Sequence, residues 1–281
     1  MKVRLIGLIL SIVLLLITST SAQTNWPQFR GGSAGVVADD PALPDTWGTD
    51  ENVVWSIDVP GRSWSSPIVW GDHVFVVTAY SVDGQDAPLA PVETYRARSL
   101  GGSMTRADVF TPTTPIRWVL YDIEFETGAV RWERTLRTGV PTQPSHQKTR
   151  MAAETPVTDG ERVYVYLGDI GLFALEFDGS LAWSVPMEWL PRRDWGSAIS
   201  PALHDGRLYV VNDNEAQSFI AAYDAATGEE QWRVDRDETS NWATPFVWKN
   251  DVRTEIVTSG SGGVRSYGLD GELLWELHGM S

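Results

Sequence analysis

The sequence contains no cysteine and only four histidines in 281 residues. A chain without thiols forms no disulfide, holds no thiolate-bound metal, has no cysteine nucleophile and attaches no c-type haem. The histidines are far apart in the chain, at positions 73, 146, 204 and 278, and no two have the spacing of a metal-binding pair. The sequence therefore predicts no metal site.

Basic residues are also few, with 22 Lys and Arg against 37 Asp and Glu, which gives a formal net charge of −15. Nucleic-acid binding requires a basic face that neutralises phosphates, so we expect no nucleic-acid partner. The sequence also lacks a phosphate-binding glycine loop and a Gly-x-Ser-x-Gly nucleophile motif.

Long apolar runs are limited to the N-terminus. Lys2 and Arg4 precede an apolar run over residues 5–17, and the small residues Thr20, Ser21 and Ala22 follow it. This order is typical of a secretory signal, which we predict over residues 1–22 with cleavage before Gln23. The alternative is an uncleaved membrane anchor, although the run is short for a span of about 20 residues. We expect export to the periplasm or the medium and no transmembrane span after cleavage.

Tryptophan, by contrast, is abundant, with 14 residues, and four of them end a recurring phrase. Residues 222–232 read Ala-Tyr-Asp-Ala-Ala-Thr-Gly-Glu-Glu-Gln-Trp, which predicts a strand, a tight Thr-Gly turn and a second strand. The phrase returns at residues 122–132 and, with an Asp-Gly turn, at 176–183 and 267–275. The four tryptophans are 51, 49 and 43 residues apart. A four-stranded propeller blade takes about 40–45 residues.

A second phrase, Ser/Thr-Pro followed by a β-rich pair of segments, begins at residues 66, 155, 200 and 244. Proline is tolerated at a strand start, so each pair marks the first strand of a blade. We predict an all-β propeller with four complete four-stranded antiparallel blades over residues 51–281, after an arm over residues 23–50 with little regular structure. An insertion over residues 81–117 separates the second and third strands of the first blade. It is either a partner or ligand contact or a tolerated loop.

The phrase Ala-x-Asp-x-x-Thr-Gly-x-x-x-Trp resembles the repeat of the pyrroloquinoline-quinone (PQQ) β-propellers. That superfamily includes quinoprotein alcohol dehydrogenases and non-enzymatic members such as the propeller lipoprotein of the outer-membrane assembly machine. The opening Asn-Trp-Pro-Gln-Phe-Arg-Gly at residues 25–31 is similar to that of secreted bacterial members with PQQ-like repeats. The resemblance is specific for the fold, and fold does not imply function.

Residues 52–59 read as an additional outer strand, in which Trp55 matches the repeat tryptophan. No hairpin precedes this strand, and the resemblance implies rings of seven or eight blades. We therefore expect the chain to be a fragment of a longer propeller. The alternative is a ring closed by four blades, with the segment around Trp55 as an extra edge strand.

The dehydrogenases of this superfamily use PQQ, a calcium ion, an aspartate base and usually a disulfide between adjacent cysteines, which this chain cannot form. Asn212, Asp213, Asn214 and Glu215 have oxygen atoms that suit calcium, but their place after a second strand favours a solvated loop. We predict no catalytic residue and no cofactor. We expect PQQ and calcium only under the alternative that the chain is a quinoprotein dehydrogenase or a fragment of one.

Residues that directly precede the Ser/Thr-Pro pairs line one end of the axial channel in a propeller. These binding candidates are Arg62 and Trp64, Lys148 and Arg150, Arg193 and Trp195, and Asn241 and Trp242. Arginine and tryptophan in a funnel suit a small anionic or planar ligand, or a peptide of a partner protein. Alternatively, the tryptophans only plug the channel.

Three functions follow from these features. The first is an exported binding or scaffolding module without catalysis. The second is a PQQ- and calcium-dependent dehydrogenase, or a fragment of one. The third is a propeller whose insertion docks a partner in the cell envelope.

Overall fold

A computed structural model of the chain describes residues 25–32, 35–36, 41–83, 89–91, 109–141, 144–146, 151–168, 170–187, 190 and 195–279. The predicted signal segment, residues 1–22, lies outside these ranges. Every regular element of the described residues is a β-strand. No helix long and apolar enough to cross a membrane occurs in this part of the chain.

Sixteen of the strands form four antiparallel sheets of four strands, which we call blades I to IV. From the inner to the outer edge, blade I consists of β1 (Ile68–Trp70), β2 (His73–Ser81), β5 (Ile116–Glu124) and β6 (Val130–Gly139). Blade II consists of β8 (Val157–Thr158), β9 (Arg162–Leu167), β10 (Gly171–Glu176) and β11 (Leu181–Pro186). Blade III consists of β12 (Ala202–His204), β13 (Arg207–Asn212), β14 (Ser218–Asp224) and β15 (Glu230–Arg236). Blade IV consists of β16 (Phe246–Lys249), β17 (Thr254–Ser259), β18 (Gly263–Tyr267) and β19 (Leu273–His278).

The blades are arranged radially, because the innermost strands β1, β8, β12 and β16 contact one another in that order. Buried apolar side chains fill each space between neighbouring blades. Phe75 and Leu175 pack between blades I and II, Leu172 and Leu208 between II and III, and Tyr209 and Ile256 between III and IV. The chain is thus a β-propeller of four-stranded blades, and the predicted fold class is confirmed.

Tryptophan recurs because the repeat indoles of blades I to III each dock on the next blade. The indole N–H donates to a backbone carbonyl near the third-to-fourth-strand turn of that blade, and the ring covers the turn glycine. The pairs are Trp132 with Phe177 (2.8 Å), Trp183 with Ala225 (3.0 Å) and Trp232 with Leu269 (2.9 Å).

The segment before blade I makes the same contact without forming a strand. Trp55 donates to the carbonyl of Phe125 at 2.7 Å, and its ring covers Gly128. The strand predicted over residues 52–59 is nevertheless wrong, because these residues join no ladder in the described part of the chain. A single docking contact fixes the tryptophan, whereas a strand also requires a paired backbone.

The Ser/Thr-Pro pairs link successive blades through hydroxyl groups. The backbone N–H of Ser66 donates to Thr155 Oγ1 at 2.9 Å, that of Thr155 to Ser200 Oγ at 2.8 Å, and that of Ser200 to Thr244 Oγ1 at 3.1 Å. A hydroxyl at this position therefore satisfies a backbone donor of the preceding blade, which explains why residues 155, 200 and 244 are Ser or Thr.

Replacing Thr155 with valine should lower the free energy of unfolding by about 1–3 kcal/mol, because it leaves the Ser66 N–H without its acceptor at almost unchanged volume. Urea denaturation of both proteins measures the difference. Thr138→Val, on the exposed outer strand of blade I, is the control and should change stability by less than about 0.5 kcal/mol. A loss at residue 155 no larger than the control's would contradict the linking role.

Two smaller elements complete the fold. The insertion joins β2 to β5 and contains β3 (Leu89–Pro91) and β4 (Val109–Pro112). β4 pairs with β7 (Ser145–His146), which lies between blades I and II.

The N-terminal arm reaches the axis, since Trp26 forms a bridge with Val69 on the free edge of β1 and the Pro27 carbonyl accepts from Thr158 N at 2.9 Å. The boundaries predicted for the arm and the signal segment stay predictions.

Candidate functional site

One end of the wheel collects the segments that enter the innermost strands. Strands in each blade alternate in direction, so these entry segments lie at the same end as the connections between second and third strands. We call this end the loop face; it comprises residues 62–66, 151–155, 195–200 and 241–244 together with the described strands of the insertion. The opposite end carries the hairpin turns and Asn25, whose Oδ1 accepts from Gly71 N at 2.9 Å.

Three rings on the loop face form a ladder, which we call the aromatic ladder: His146, Trp195 and Trp242. The ring centroids of Trp195 and Trp242 are 5.1 Å apart with an interplanar angle of 28°, and the His146 ring lies 5.9 Å from Trp195, edge-on. Trp242 Nε1 donates to the Gly196 carbonyl at 2.9 Å, and His146 N donates to the Trp195 carbonyl at 3.3 Å. His146 belongs to β7, so the strand pairing with the insertion fixes one end of the ladder.

The other binding candidates take different positions. Trp64 is 62% exposed, and its backbone N–H donates to the Ala152 carbonyl at 2.9 Å. The backbone of Arg62 bridges to Ala79. Lys148, Arg150 and Arg193 lie outside the described residues. The structure thus brings Trp195 and Trp242 together and keeps Trp64 apart from them as an exposed ring.

Asn241 has a structural task next to the ladder. Its side-chain oxygen accepts from the backbone N–H groups of Trp242 (2.8 Å) and Ala243 (3.1 Å), and its Nδ2 donates to Asp213 Oδ2 at 3.2 Å. Asp213 is fully buried and holds the guanidinium of Arg236 through two contacts of 2.9 and 3.2 Å. The aromatic ladder is therefore anchored to a buried ion pair.

The solvated loop predicted at residues 212–215 is wrong for its first three members, which are buried. Asp213 neutralises Arg236, and the side-chain oxygen of Asn214 accepts from Ala216 N at 2.8 Å and Gln217 N at 2.9 Å. Their oxygen atoms are thus committed to the protein, and they do not fit a calcium ion. The described residues contain no group of three or more His, Asp or Glu that suits a metal ion.

A cavity of about 240 Å³ lies on the loop face between blades I and II. Its wall is mostly apolar, with contributions from Trp118, Val140, Met151, Leu167, Ile170 and Met187. Gly196 and Ser197 also line the cavity, and in the chain they directly follow Trp195 of the ladder. The cavity and the aromatic ladder therefore form one continuous region.

The cavity contains one buried carboxylate, Glu154, which is 4% exposed. Its Oε1 accepts from Gly168 N at 3.1 Å and its Oε2 from Ala153 N at 3.2 Å. Burial raises the pKa of Glu154 to about 7, and the hydrogen bonds from these backbone amides oppose part of that rise. At neutral pH this side chain consequently exchanges between acid and carboxylate.

Sequence reasoning missed Glu154, although the repeat contains a signal. The residue directly before the Ser/Thr-Pro pair is Ser65 in blade I, Ile199 in blade III and Ala243 in blade IV, but Glu154 in blade II. A carboxylate at a position that is otherwise small or apolar departs from the repeat, and such departures point to roles other than the shared scaffold.

Replacing Glu154 with glutamine should make stability less dependent on pH. The native state retains a proton that the unfolded chain releases above its ordinary pKa of 4.5, so the free energy of unfolding falls as pH rises from about 4.5 to 7. The variant lacks this titration. From pH 4.5 to 7, the free energy of unfolding of the variant should therefore rise relative to that of the parent by on the order of 3 kcal/mol.

Urea denaturation at both ends of the window measures this difference between the two proteins. The matched control is Glu161→Gln, in an exposed turn of blade II, which should leave the pH profile of stability unchanged. Parallel profiles for the parent and Glu154→Gln would contradict an elevated pKa.

No protein-family model matches the sequence, and no curated protein matches it in sequence. Solved structures with a similar chain trace include the quinohemoprotein alcohol dehydrogenase ADHIIG from Pseudomonas putida HK5 (15% identity, 79% of this chain, 35% of that chain, TM-score 0.47). A europium-containing methanol dehydrogenase is also similar (10% identity, 75% of this chain, 41% of that chain, TM-score 0.46). So is BamB from Moraxella catarrhalis (14% identity, 80% of this chain, 67% of that chain, TM-score 0.42). The chain thus spans about two fifths or less of the length of these dehydrogenases. At such identities and TM-scores the likeness says nothing about the activity of this chain.

Proposed function

We propose that this protein is an exported PQQ-like propeller that binds a partner on its loop face and has no catalytic activity of its own. The observation that carries the proposal is the convergence of the aromatic ladder, the exposed Trp64 and the Glu154 cavity on one face, which the insertion also reaches. The N-terminal composition supports export, and the Trp and Ser/Thr-Pro repeats support the family.

The chemistry of the loop face favours binding over catalysis. Stacked rings give flat apolar area at low cost in side-chain entropy, and Trp is among the residues that dominate interface energies. The side-chain oxygen atoms of residues 212–214 are committed to hydrogen bonds within the protein, so they support no calcium-bound quinone. A planar group or a peptide segment is the occupant that suits the aromatic ladder best.

Position-specific cross-linking in the exporting cell tests the location of the binding face. A photoreactive phenylalanine analogue replaces Trp64 on the loop face or, as the control, Glu229 in an exposed turn at the opposite end. We expect a discrete cross-linked product from position 64 that Trp195→Ala removes, and none from position 229. Equal labelling from both positions would overturn the assignment to the loop face.

A second measurement tests the absence of catalysis. Purified protein receives PQQ with calcium, and quinone absorbance and dye reduction are followed with alcohols as substrates. We expect neither saturable quinone binding nor turnover. Turnover that depends on both additions would replace the binding module with a quinoprotein dehydrogenase.

A further inference from the structure

We propose that the Glu154 cavity binds a small apolar α-amino acid, with its ammonium group on Glu154 and its carboxylate at Arg137. This inference rests on the proposed function, since it gives the loop face a specific small ligand. It follows from the charges, wall and size of the cavity.

The first observation is that Glu154 has no cationic partner among the residues that the structure describes. Its hydrogen-bond partners in the described part of the chain are neutral, namely the backbone amides of Ala153 and Gly168. A carboxylate held in an apolar wall without a counter-ion is costly, and the cost falls when a cation joins it. A ligand ammonium group supplies both the charge and hydrogen-bond donors.

The second observation is the presence of a cation elsewhere in the wall. Arg137, in the outer strand of blade I, is the only basic residue that lines the described cavity, and Glu154 is the only acidic one. Arg137 is exposed and Glu154 is buried, so the positive charge lies toward the rim and the negative charge inside. This separation suits a zwitterion better than a simple amine, because a guanidinium pairs well with a carboxylate.

The third observation is the size and softness of the remaining wall. Cavities for drug-sized ligands measure about 300–1,000 Å³, whereas this one measures about 240 Å³. Met151 and Met187 provide flexible thioethers that adapt to an aliphatic or aromatic side chain. Gly168 permits the close approach of Glu154 and Ser197, because a Cβ at residue 168 would lie 2.4 Å from Ser197 Oγ.

Titration with L-leucine, followed by calorimetry, tests the proposal on the purified chain. Two analogues separate the charges: isoamylamine lacks the carboxylate, and 4-methylpentanoate lacks the ammonium group. We expect saturable binding of leucine, weaker binding of the amine and the weakest binding of the acid. Leucine affinity should rise about eightfold from pH 6 to 7.5 as Glu154 ionises. Among the described residues, Arg137 is the other charged group that lines the cavity.

Two variants assign the charged ends. Glu154→Gln should weaken the binding of leucine at least about tenfold and remove the pH dependence of its affinity, because the ammonium group loses its counter-ion. Arg137→Gln should weaken the binding of leucine but leave the binding of isoamylamine unchanged. Glu161→Gln is the control with unaltered binding, and circular dichroism checks that each variant is folded.

The outcomes separate this inference from the proposed function. Undetectable leucine binding at millimolar concentration, or binding that Glu154→Gln does not alter, overturns the amino-acid site. If cross-linking from position 64 persists in that case, the binding module stands without it. If leucine binds as expected while position 64 gives no specific product, the macromolecular partner fails and the small-ligand site stands.

Discussion

Replacing Asp213 with alanine should lower the free energy of unfolding by about 3–5 kcal/mol, one of the largest losses expected from a single substitution in this chain. Both side chains of the Asp213–Arg236 pair are fully buried. Arg236 Nη1 also donates to Thr258 Oγ1 at 2.6 Å and to the Tyr267 hydroxyl at 3.1 Å, so the guanidinium connects blades III and IV. Without its carboxylate, this cation would remain buried and unbalanced.

A double-mutant cycle with Arg236→Met distinguishes a lost charge balance from lost packing. The variant with both substitutions should be more stable than the sum of the single losses predicts, by about 1–3 kcal/mol, because it buries no unpaired charge. Urea denaturation of the four proteins gives the coupling energy. Additive losses would mean that the pair contributes little beyond its packing.

The same network matters for the loop face. Asn241 connects Asp213 to the backbone that carries Trp242. We therefore expect Asp213→Ala to disturb the stacking of Trp242 on Trp195 as well as overall stability. The near-ultraviolet circular dichroism of the folded variant should report this change in the aromatic ladder.

Replacing Gly228 with alanine should lower the free energy of unfolding by about 3 kcal/mol. The backbone φ of Gly228 is +78°, which costs an L-residue roughly 1–2 kcal/mol. An added Cβ would lie 2.6 Å from Cε3 of Trp183, so the docked indole must move and its contact with blade III is weakened. Displacing a well-packed ring costs typically another 1–3 kcal/mol.

Gly206 is a matched control for this substitution in the same blade. Its φ is +69°, and an added Cβ would meet no atom within 4 Å. Gly206→Ala should therefore cost only the backbone strain, about 1 kcal/mol. Thermal or urea unfolding compares the two variants. Equal losses at both positions would show that backbone strain alone requires glycine in the Thr-Gly turn and that the indole does not.

The two candidate regions differ in how well the sequence predicts them. Trp195 and Trp242 are predictable because both precede a Ser/Thr-Pro pair, by five and two residues, in successive repeats, so both fall on the loop face. His146 comes from a segment outside the repeat and reaches the ladder only through its pairing with the insertion. Glu154 escaped prediction because its significance depends on burial, which a single carboxylate in a repeat does not reveal.

The sequence by itself determines the wheel. Trp and Ser/Thr-Pro at blade-length intervals encode contacts that each blade repeats with its neighbour, namely an indole on a turn glycine and a hydroxyl on a backbone N–H. Such local, periodic contacts can be read from spacing alone. Tertiary structure alone decides that Asp213 neutralises Arg236, that Glu154 lies in an apolar cavity and that residues 52–59 dock without pairing. These outcomes depend on which side chains from distant positions in the chain are buried together. The burial of a charged group cannot be inferred from the residues next to it in the sequence.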